Sequence, residues 1–527
     1  MAADTATDAV APPGSDTPAP VPETKPARRP WGRALLSTLG LIVVPFAVTL
    51  TVMLIGIGER QLWRDENATW WAASLSLDDL RKLVETVDVV LLPYYVLMHG
   101  WTTLFGDSET ALRVPSALFM AGAAALLALV GRRLFDAPAG LVAGLLLPAV
   151  PVVSRYGQEA RPYAMALVAS VAAVLLLLRA LEKPTVWRWL GYTLAVVWVA
   201  CSHIVALMAL AAHLIAVLVA LPDRARRWRI LIGWPAAVVL AILAVSPLVI
   251  LGQRQGGQIG WIPDTTWARV QAFPGEVFMS APVAGFFLVL GLGALAGRAF
   301  AARGARWPAG FLAVWTLLPP VLAYYSFHEF HFFYARYLLF TVPAWVLLAA
   351  YGIRGLAGPA RGFRVWAAVV AATVAAAAGL TFSGWSEQEL IRSDGVENEF
   401  AFRAAATYIR AHEQPGDGII FTGYRYVHRG FRYEWRDQPA AEQPREILVD
   451  LPAGRSWSWV HPPCADTVAC LGGTRRIWLV STDPSGRPLS PLPPTQQPAV
   501  QARYDVLLQV VFHRLWVTEL VLKPPTS

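Results

Sequence analysis

Charge is scarce in this chain. Of its 527 residues only 15% are Asp, Glu, Lys or Arg, against roughly 25% in a soluble protein. Hydrophobic residues make up 56%, and the mean hydropathy is +0.46. A soluble core cannot use that much apolar surface. Cysteine is scarcer still, with three in the whole chain. Cys201 lies in an apolar block, and Cys464 and Cys470 stand near the C-terminus; none has metal-ligand spacing with another Cys or His, so no zinc site is expected. The net charge of +8 is not gathered on one face, which argues against a nucleic-acid surface. The basic residues sit in short clusters between long uncharged blocks near 20 residues in length, the signature of membrane-crossing helices.

About eleven such blocks are legible: Leu35–Ile57, Pro115–Val130, Ala139–Val153, Pro162–Leu178, Leu190–Cys201, His203–Leu221, Ile230–Leu251, Ala281–Ala296, Ala309–Tyr325, Leu338–Tyr351 and Val365–Phe382. Trp189–Leu221 as one helix would run roughly 50 Å, too long for a hydrocarbon core of about 30 Å. Arg179, Lys183 and Arg188 precede it, and Arg224, Arg226, Arg227 and Arg229 follow it. Both flanks therefore read as cytoplasmic, which requires a turn near Cys201-Ser202-His203. Arg132 and Arg133, then Arg298, Arg303 and Arg306, then Arg354, Arg361 and Arg364 mark the remaining inside loops. Arg28, Arg29 and Arg33 before the first block place the N-terminus inside, and an odd number of spans places the C-terminal part outside.

The expected organisation is a disordered cytoplasmic tail over 1–33, a polytopic helical membrane domain over 34–383 with a large first outside loop at 58–113, and a small extracytoplasmic α/β domain over 384–527. In the last, Glu397–His412 reads as an amphipathic helix and Pro415-Gly416-Asp417-Gly418 as a turn. Ile419–Thr422, Arg476–Ser481 and Val506–Leu522 read as strands. Cys464 and Cys470 are either a disulfide closing a short loop, if this part lies outside, or two unpaired surface thiols.

Since charge is costly against lipid, the informative polar residues are those of the outside loops. After the first span comes Arg64-Asp65-Glu66, followed by Trp70 and Trp71. An acid at a helix end is ordinary. Yet Leu75, Leu77, Leu80, Leu83 and Val84 then recur at helical spacing, as for a helix lying on the membrane surface. Acids held between a span and such a helix are well placed to meet a membrane-borne substrate. Asp88 and Pro93-Tyr94-Tyr95 follow, leading to His99 and Trp101. A second, very short loop packs Arg155, Tyr156, Glu159, Arg161 and Tyr163 between two spans. Headgroup anchoring is the plain account of its arginines; binding a phosphate by guanidinium forks is the functional one. A third loop, His328-Glu329-Phe330-His331, leads to Arg336-Tyr337; its histidines are three apart and lack the i, i+4 zinc spacing. Gly252–Pro282, with Arg254 and Trp261, has the make-up of a mobile cover.

Taken in order, the Asp65-Glu66 pair, Pro93-Tyr94-Tyr95, Gln158-Glu159-Ala160-Arg161-Pro162-Tyr163 and Arg336-Tyr337 resemble the GT-C membrane glycosyltransferases. The resemblance is to the branch of protein O-mannosyltransferases and lipid A aminoarabinose transferases, nearest its actinobacterial members, and covers Leu35 to Phe382. It implies inverting transfer of a hexosyl or pentosyl group, mannose or a related sugar, from a polyprenyl-phosphate donor to an acceptor hydroxyl outside the cytoplasm. The acceptor would be a lipid, a glycan or a protein. On that resemblance Asp65 is the general base and Glu66 supports it or positions the acceptor. Arg161 and Arg336 hold the donor phosphate, and Tyr163 shapes the pocket. Glu159, Tyr94, Tyr95, Arg155 and Asp88 are further substrate-binding candidates. No cofactor is required by this chemistry, although the acids leave room for a divalent cation. Relatives often carry His or Lys before the Pro-Tyr-Tyr; Val90-Leu91-Leu92 stands there in this chain, so either Arg155 substitutes or the donor differs. The competing reading is a lipid or sugar-lipid transporter, which would place ionisable groups near the bilayer midplane and show internal repeats. A scaffold whose outside domain binds partners would leave the loop acids and arginines unexplained.

Overall fold

The uncharged blocks fold as helices, and the loops between them hold more structure than a connector needs. The computed structural model describes residues 31–299, 307–326, 331–356, 363–393, 399–423, 427–450, 461–483, 485 and 487–524. The expected tail up to residue 30, Arg303, Arg306 and Arg361, and His328, Glu329 and Phe330 lie outside these. The chain divides into two units, Met1–Gly40 and Leu41–Ser527, and all the loops and the sheet belong to the second.

Every expected apolar block overlaps a helix. In chain order these are Trp31–Leu54, Glu109–Leu134, Ala137–Leu146, Tyr163–Glu182, Val186–Ser202, Leu210–Ala220, Arg227–Arg254, Ala281–Ala299, Trp307–Tyr325, Val342–Leu356 and Phe363–Ser383. Among the described residues, five helices are long and apolar enough to cross a membrane, or up to eight if each of three bent pairs is one span. His203 is extended, with φ −162° and ψ 110°, and ends Val186–Ser202 where the charge argument requires a turn. The stretch expected as a mobile cover contains the helix Trp267–Phe278, bent by 92° against the next helix. The bend falls at Met279, whose φ of +57° ends the helical path.

The first loop is also helical, as Arg64–Ser74, Leu77–Thr86 and Leu92–Phe105. Ser76 caps the second by accepting the Asp79 N–H at 3.1 Å, and Pro93 sits at the start of the third, where its missing N–H costs nothing. The apolar face of Leu77–Thr86 was expected on the membrane surface. Leu80, Leu83 and Val84 instead bury inside the protein, in a cluster with Trp70, Trp71, Tyr94, Tyr95 and Met98. Aromatic neighbours offer that face more contact than lipid does, and Leu77 alone of those expected positions stays largely exposed.

The C-terminal part forms a mixed sheet of β1 (Gly418–Thr422), β2 (Arg445–Glu446), β3 (Arg476–Ser481), β4 (Tyr504–Phe512) and β5 (Leu515–Leu522), in the order β2-β1-β3-β5-β4. β1 pairs in parallel with β2 and β3, and the β4–β5 hairpin adds antiparallel to β3. The period-2 rule of strands is visible along β3. Trp478 and Val480 pack with Phe402, Ile409 and Phe431 on one face, while Ile477 and Leu479 pack with Ile447, Leu471 and Val500 on the other. The expected amphipathic helix is Phe402–His412. Cys464 and Cys470 form a disulfide.

Candidate active site

Asp65 and Glu66 occupy the first turn of Arg64–Ser74, where the helix dipole favours acids. One residue apart, they point into different surroundings. Glu66 turns inward and is wholly buried. Arg113 grips it through Nε and Nη2, each at 2.8 Å, and the Trp63 and Ala160 amides donate to it at 3.3 and 2.9 Å. Arg113 spends its remaining donors on the carbonyls of Ile57, Arg60 and Gln61, at 2.8, 2.9 and 3.1 Å. This is a fully satisfied buried pair, and it fixes the strap of chain 57–66.

Asp65 turns outward. Its carboxylate lies 3.5 Å from Arg336 Nη1, with the two side chains 26% and 13% exposed. Arg161 Nη1 donates to the Asp65 carbonyl at 3.4 Å. Residues from three distant stretches, at 65, 161 and 336, therefore meet. The Arg336 guanidinium sits among aromatic rings: Tyr334 at 5.0 Å, Trp261 at 5.2 Å, Trp63 and Tyr337 at 5.8 Å, and Tyr163 at 5.9 Å from its carbon. Ring faces at this range attract a cation while keeping water off it. Trp63 also carries Arg155 at 5.6 Å, and Arg155 pairs with the buried Glu159 at 3.0 Å. Burial pushes the Glu159 carboxyl up, with Arg155 opposing.

Asp88 has left-handed backbone, φ +56°, a conformation that Asp tolerates. Tyr95 donates to its carboxylate at 2.9 Å. Burial raises the Asp88 carboxyl, and the charges of Arg161 and Arg429 oppose that rise. Its N–H and that of Val89 donate to Gln258 and Gln255, at 3.3 and 2.9 Å. The stretch after Arg254 is thus tied to Asp88 at one point and lies over Arg336, through Trp261, at another.

Several of the buried polar atoms left without partners lie here. Among the described residues Arg161 Nε, Arg336 Nε, the Tyr94 hydroxyl, His203 Nδ1 and both Glu159 oxygens have no hydrogen-bond partner, although Glu159 keeps its ion pair. Such groups are normally satisfied, and a cluster of them marks a place built to receive polar atoms. Two guanidinium N–H donors suit an anion with several oxygens. No group of three or more His, Cys, Asp and Glu is placed to hold a metal among the described residues.

All ten expected site residues lie in or beside this constellation, with Glu66 behind it. Arg113, Trp63 and Arg429 were not singled out from the sequence; Trp261 was named only as part of the expected cover, and His203 only as part of the expected turn. Arg113 had a signal: a charge entering an apolar helix needs a partner. Its sequence neighbour Glu109, at i−4, offers a local pair, but Glu109 goes to Arg403 at 2.8 Å.

Comparison with known proteins bears on the fold that carries this geometry. Residues 91–251 match the family described as dolichyl-phosphate-mannose-protein mannosyltransferase; the matched stretch contains Tyr94, Tyr95, Arg155, Glu159, Arg161 and Tyr163. The structure superposes on ArnT from Cupriavidus metallidurans in the apo state with a TM-score of 0.57, at 14% identity, covering 91% of this chain and 98% of that one. The chain has the GT-C glycosyltransferase fold. A second ArnT structure, bound to undecaprenyl phosphate, gives 0.55 at the same identity and coverage. The GT-C arabinofuranosyltransferase AftD from Mycobacteria gives 0.50 at 13% identity, covering 91% of this chain and 40% of that one. No curated protein matches the chain.

Proposed function

We propose that this protein is an inverting glycosyltransferase of the membrane, moving mannose or a related sugar from a polyprenyl-phosphate donor to an acceptor hydroxyl on the outer side. The observation that carries the proposal is the meeting of one partly exposed carboxylate, Asp65, with two half-buried arginines, Arg161 and Arg336, that each keep a buried Nε–H donor unspent. A single lipid phosphate would take both donors. The undecaprenyl phosphate bound by ArnT supports a donor of this class.

In this reading Asp65 takes the proton of the acceptor hydroxyl as its oxygen bonds to the anomeric carbon. The bond from that carbon to the phosphate oxygen breaks, and the electron pair leaves on the polyprenyl phosphate. Arg161 and Arg336 meet the charge that grows there. Glu66 is a positioning residue, because its carboxylate is wholly engaged by Arg113 and two amides. Tyr163 and the other rings around Arg336 dry the site, which strengthens each charge contact. Tyr94, Tyr95, Asp88, Glu159 and Arg155 line or support the donor side. About eleven crossings, a cytoplasmic N-terminus and an outer C-terminal domain complete the proposal. The site residues come from loops and helix ends, as a surface enzyme requires and a midplane transport site does not.

The test is purified protein assayed against a panel of undecaprenyl-phosphate hexoses and pentoses with the products weighed by mass spectrometry. Transfer from at least one donor, lost in Asp65→Asn, is expected. No transfer from any polyprenyl-phosphate sugar, with the lipids moved unchanged across a vesicle membrane, would overturn the proposal in favour of a transporter.

A further inference from the structure

The strap that carries Asp65 is held from two sides. Its inner hold is Arg113. Its outer hold comes from the C-terminal part of the chain. Gln61 is 3% exposed, and its side-chain amide is used at both ends. Nε2 donates to the Phe400 carbonyl at 2.7 Å, and Oε1 accepts the Arg403 N–H at 3.0 Å. A primary amide offering one donor and one acceptor to two backbone groups of the same short stretch fixes orientation as well as distance. Arg403 reaches back across the same junction: Nη1 donates to the Glu59 carbonyl at 3.1 Å and Nη2 to Glu109 at 2.8 Å. Arg64, next to Asp65, pairs with Glu399 at 3.6 Å.

The stretch that does the holding is itself fastened to the sheet. The Ala401 N–H donates to the His513 carbonyl, in the turn between β4 and β5, at 3.1 Å, and Phe402 is buried under the sheet with Phe431. A second contact lies further along the first loop. Trp71 meets His428 edge-on at 5.9 Å, Trp70 meets Tyr433 at 5.2 Å, and the Tyr433 hydroxyl donates to the Asp107 carbonyl at 3.3 Å. Helix Arg64–Ser74, with Asp65 in its first turn, is therefore clamped at its start by 399–403 and along its length by Val427–Glu434. Asp65 makes one long ion pair of its own and owes its place to the backbone beneath it. A misplacement of about 1 Å at such a site can cost a hundredfold in rate.

We propose that the C-terminal sheet is a working part of the transferase site, and that Gln61, clasped by Phe400 and Arg403, is a positioning residue for Asp65. The proposal rests on Asp65 acting as the base. It gives the C-terminal part a role in the chemical step that binding an acceptor would not require.

The experiment is a double-mutant cycle in the full-length protein in detergent, with whichever undecaprenyl-phosphate sugar supports transfer. Gln61→Ala should lower kcat by about tenfold to a hundredfold, with the KM for the donor changed less than about twofold, because the arginines of the phosphate clamp stand on other stretches of chain that Gln61 does not hold. Gln61→Glu keeps the acceptor for Arg403 and turns an oxygen on the Phe400 carbonyl, so it should show a similar kcat loss in a protein of nearly unchanged volume. In the Asp65→Asn background, Gln61→Ala should lower the residual rate no further, since there is no base left to position. A merely structural role would lower both backgrounds by the same factor, and would move the melting temperature together with kcat and KM; either result overturns the proposal. So does a normal kcat in both Gln61 variants while Asp65→Asn is inactive, which leaves the base assignment standing. A normal rate in Asp65→Asn removes the base assignment and this proposal together.

Discussion

Asp65 and Glu66 are neighbours on one helical turn, each facing an arginine, and they show what separates a carboxylate that holds a fold from one that can work. The inner pair, Glu66 with Arg113, has side chains 0% and 1% exposed and a two-point contact at 2.8 Å. Every remaining donor and acceptor on the two groups finds backbone. The outer pair, Asp65 with Arg336, has one contact at 3.5 Å and stays partly exposed, on the Asp65 side above all. Burying two charges is costly unless geometry and hydrogen bonds compensate in full. The inner pair meets that condition and the outer pair does not. A carboxylate held loosely beside a cation, with room around it, can accept a proton and release it; one locked by four donors cannot do so without breaking the strap.

Substitution should separate the two acids sharply. Asp65→Asn keeps shape and removes the proton acceptor, so transfer should fall by at least the roughly 10²–10⁴-fold that a general base supplies. The melting temperature should stay close to that of the parent. Measuring turnover and donor binding on the same preparation checks this, and near-normal turnover would defeat the contrast at its root. Arg113→Met should do the reverse in kind. It leaves the Glu66 carboxylate buried without a cation, a loss of about 3–5 kcal/mol in stability, seen as a lower melting temperature and a smaller folded fraction. Whatever fraction folds should bind donor normally. An Arg113→Met protein as stable as the parent would mean that the inner pair is not structural after all.

Much of this contrast was legible in the sequence, and the missing part has a physical reason. Asp65, Arg161 and Arg336 could be picked out because apolar blocks leave few charges to choose among, and each stands at the end of such a block. The alternation of β3 and the hydrophobic runs gave the elements for the same reason of composition. The resemblance alone divided the roles of the two acids; composition and spacing do not, since Asp65 and Glu66 differ in sequence by one methylene and in structure by which way a helical turn faces. Arg113 went unnoticed because its i−4 neighbour Glu109 supplies a ready local partner, and only tertiary structure shows both partners exchanged, Arg113 to Glu66 and Glu109 to Arg403. Gln61 and Trp63 carry no charge and sit between louder residues. The helix Leu77–Thr86 was assigned to lipid because an amphipathic face does not reveal what covers it.

The phosphate clamp offers a smaller effect that sharpens the outer side of the comparison. Arg336→Lys and Arg161→Lys keep the charge and lose the planar fork. A hydrogen bond to a charged group is worth about 1.5–3 kcal/mol, so each variant should weaken donor use by roughly tenfold to a hundredfold, mainly in KM. Arg336→Lys should retain some attraction from the rings of Tyr334, Trp261 and Tyr337. Arg161 has no such cage among the described residues, so Arg161→Lys should be the weaker of the two. Unchanged kinetics in both variants would remove the phosphate from this site.

The smallest effect concerns Glu159, which lies between the two regimes, buried like Glu66 but paired through a single contact with Arg155. Burial is the larger influence on its carboxyl and raises it from 4.5 to about 7, with Arg155 pulling the other way. A group whose value is higher folded than unfolded contributes stability below the unfolded value and loses it as the pH rises through the folded one. Part of the parent protein's stability should therefore fade between about pH 4.5 and 7. Glu159→Gln has no proton to lose, so its melting temperature should be the flatter of the two across that window, and the gap between them should move in favour of the variant as the pH rises. Every other titrating group is common to both proteins and drops out of the difference. Parallel melting curves from pH 4.5 to 8 would show that Arg155 holds Glu159 ionised throughout, and would place Glu159 with the locked inner pair instead of between it and Asp65.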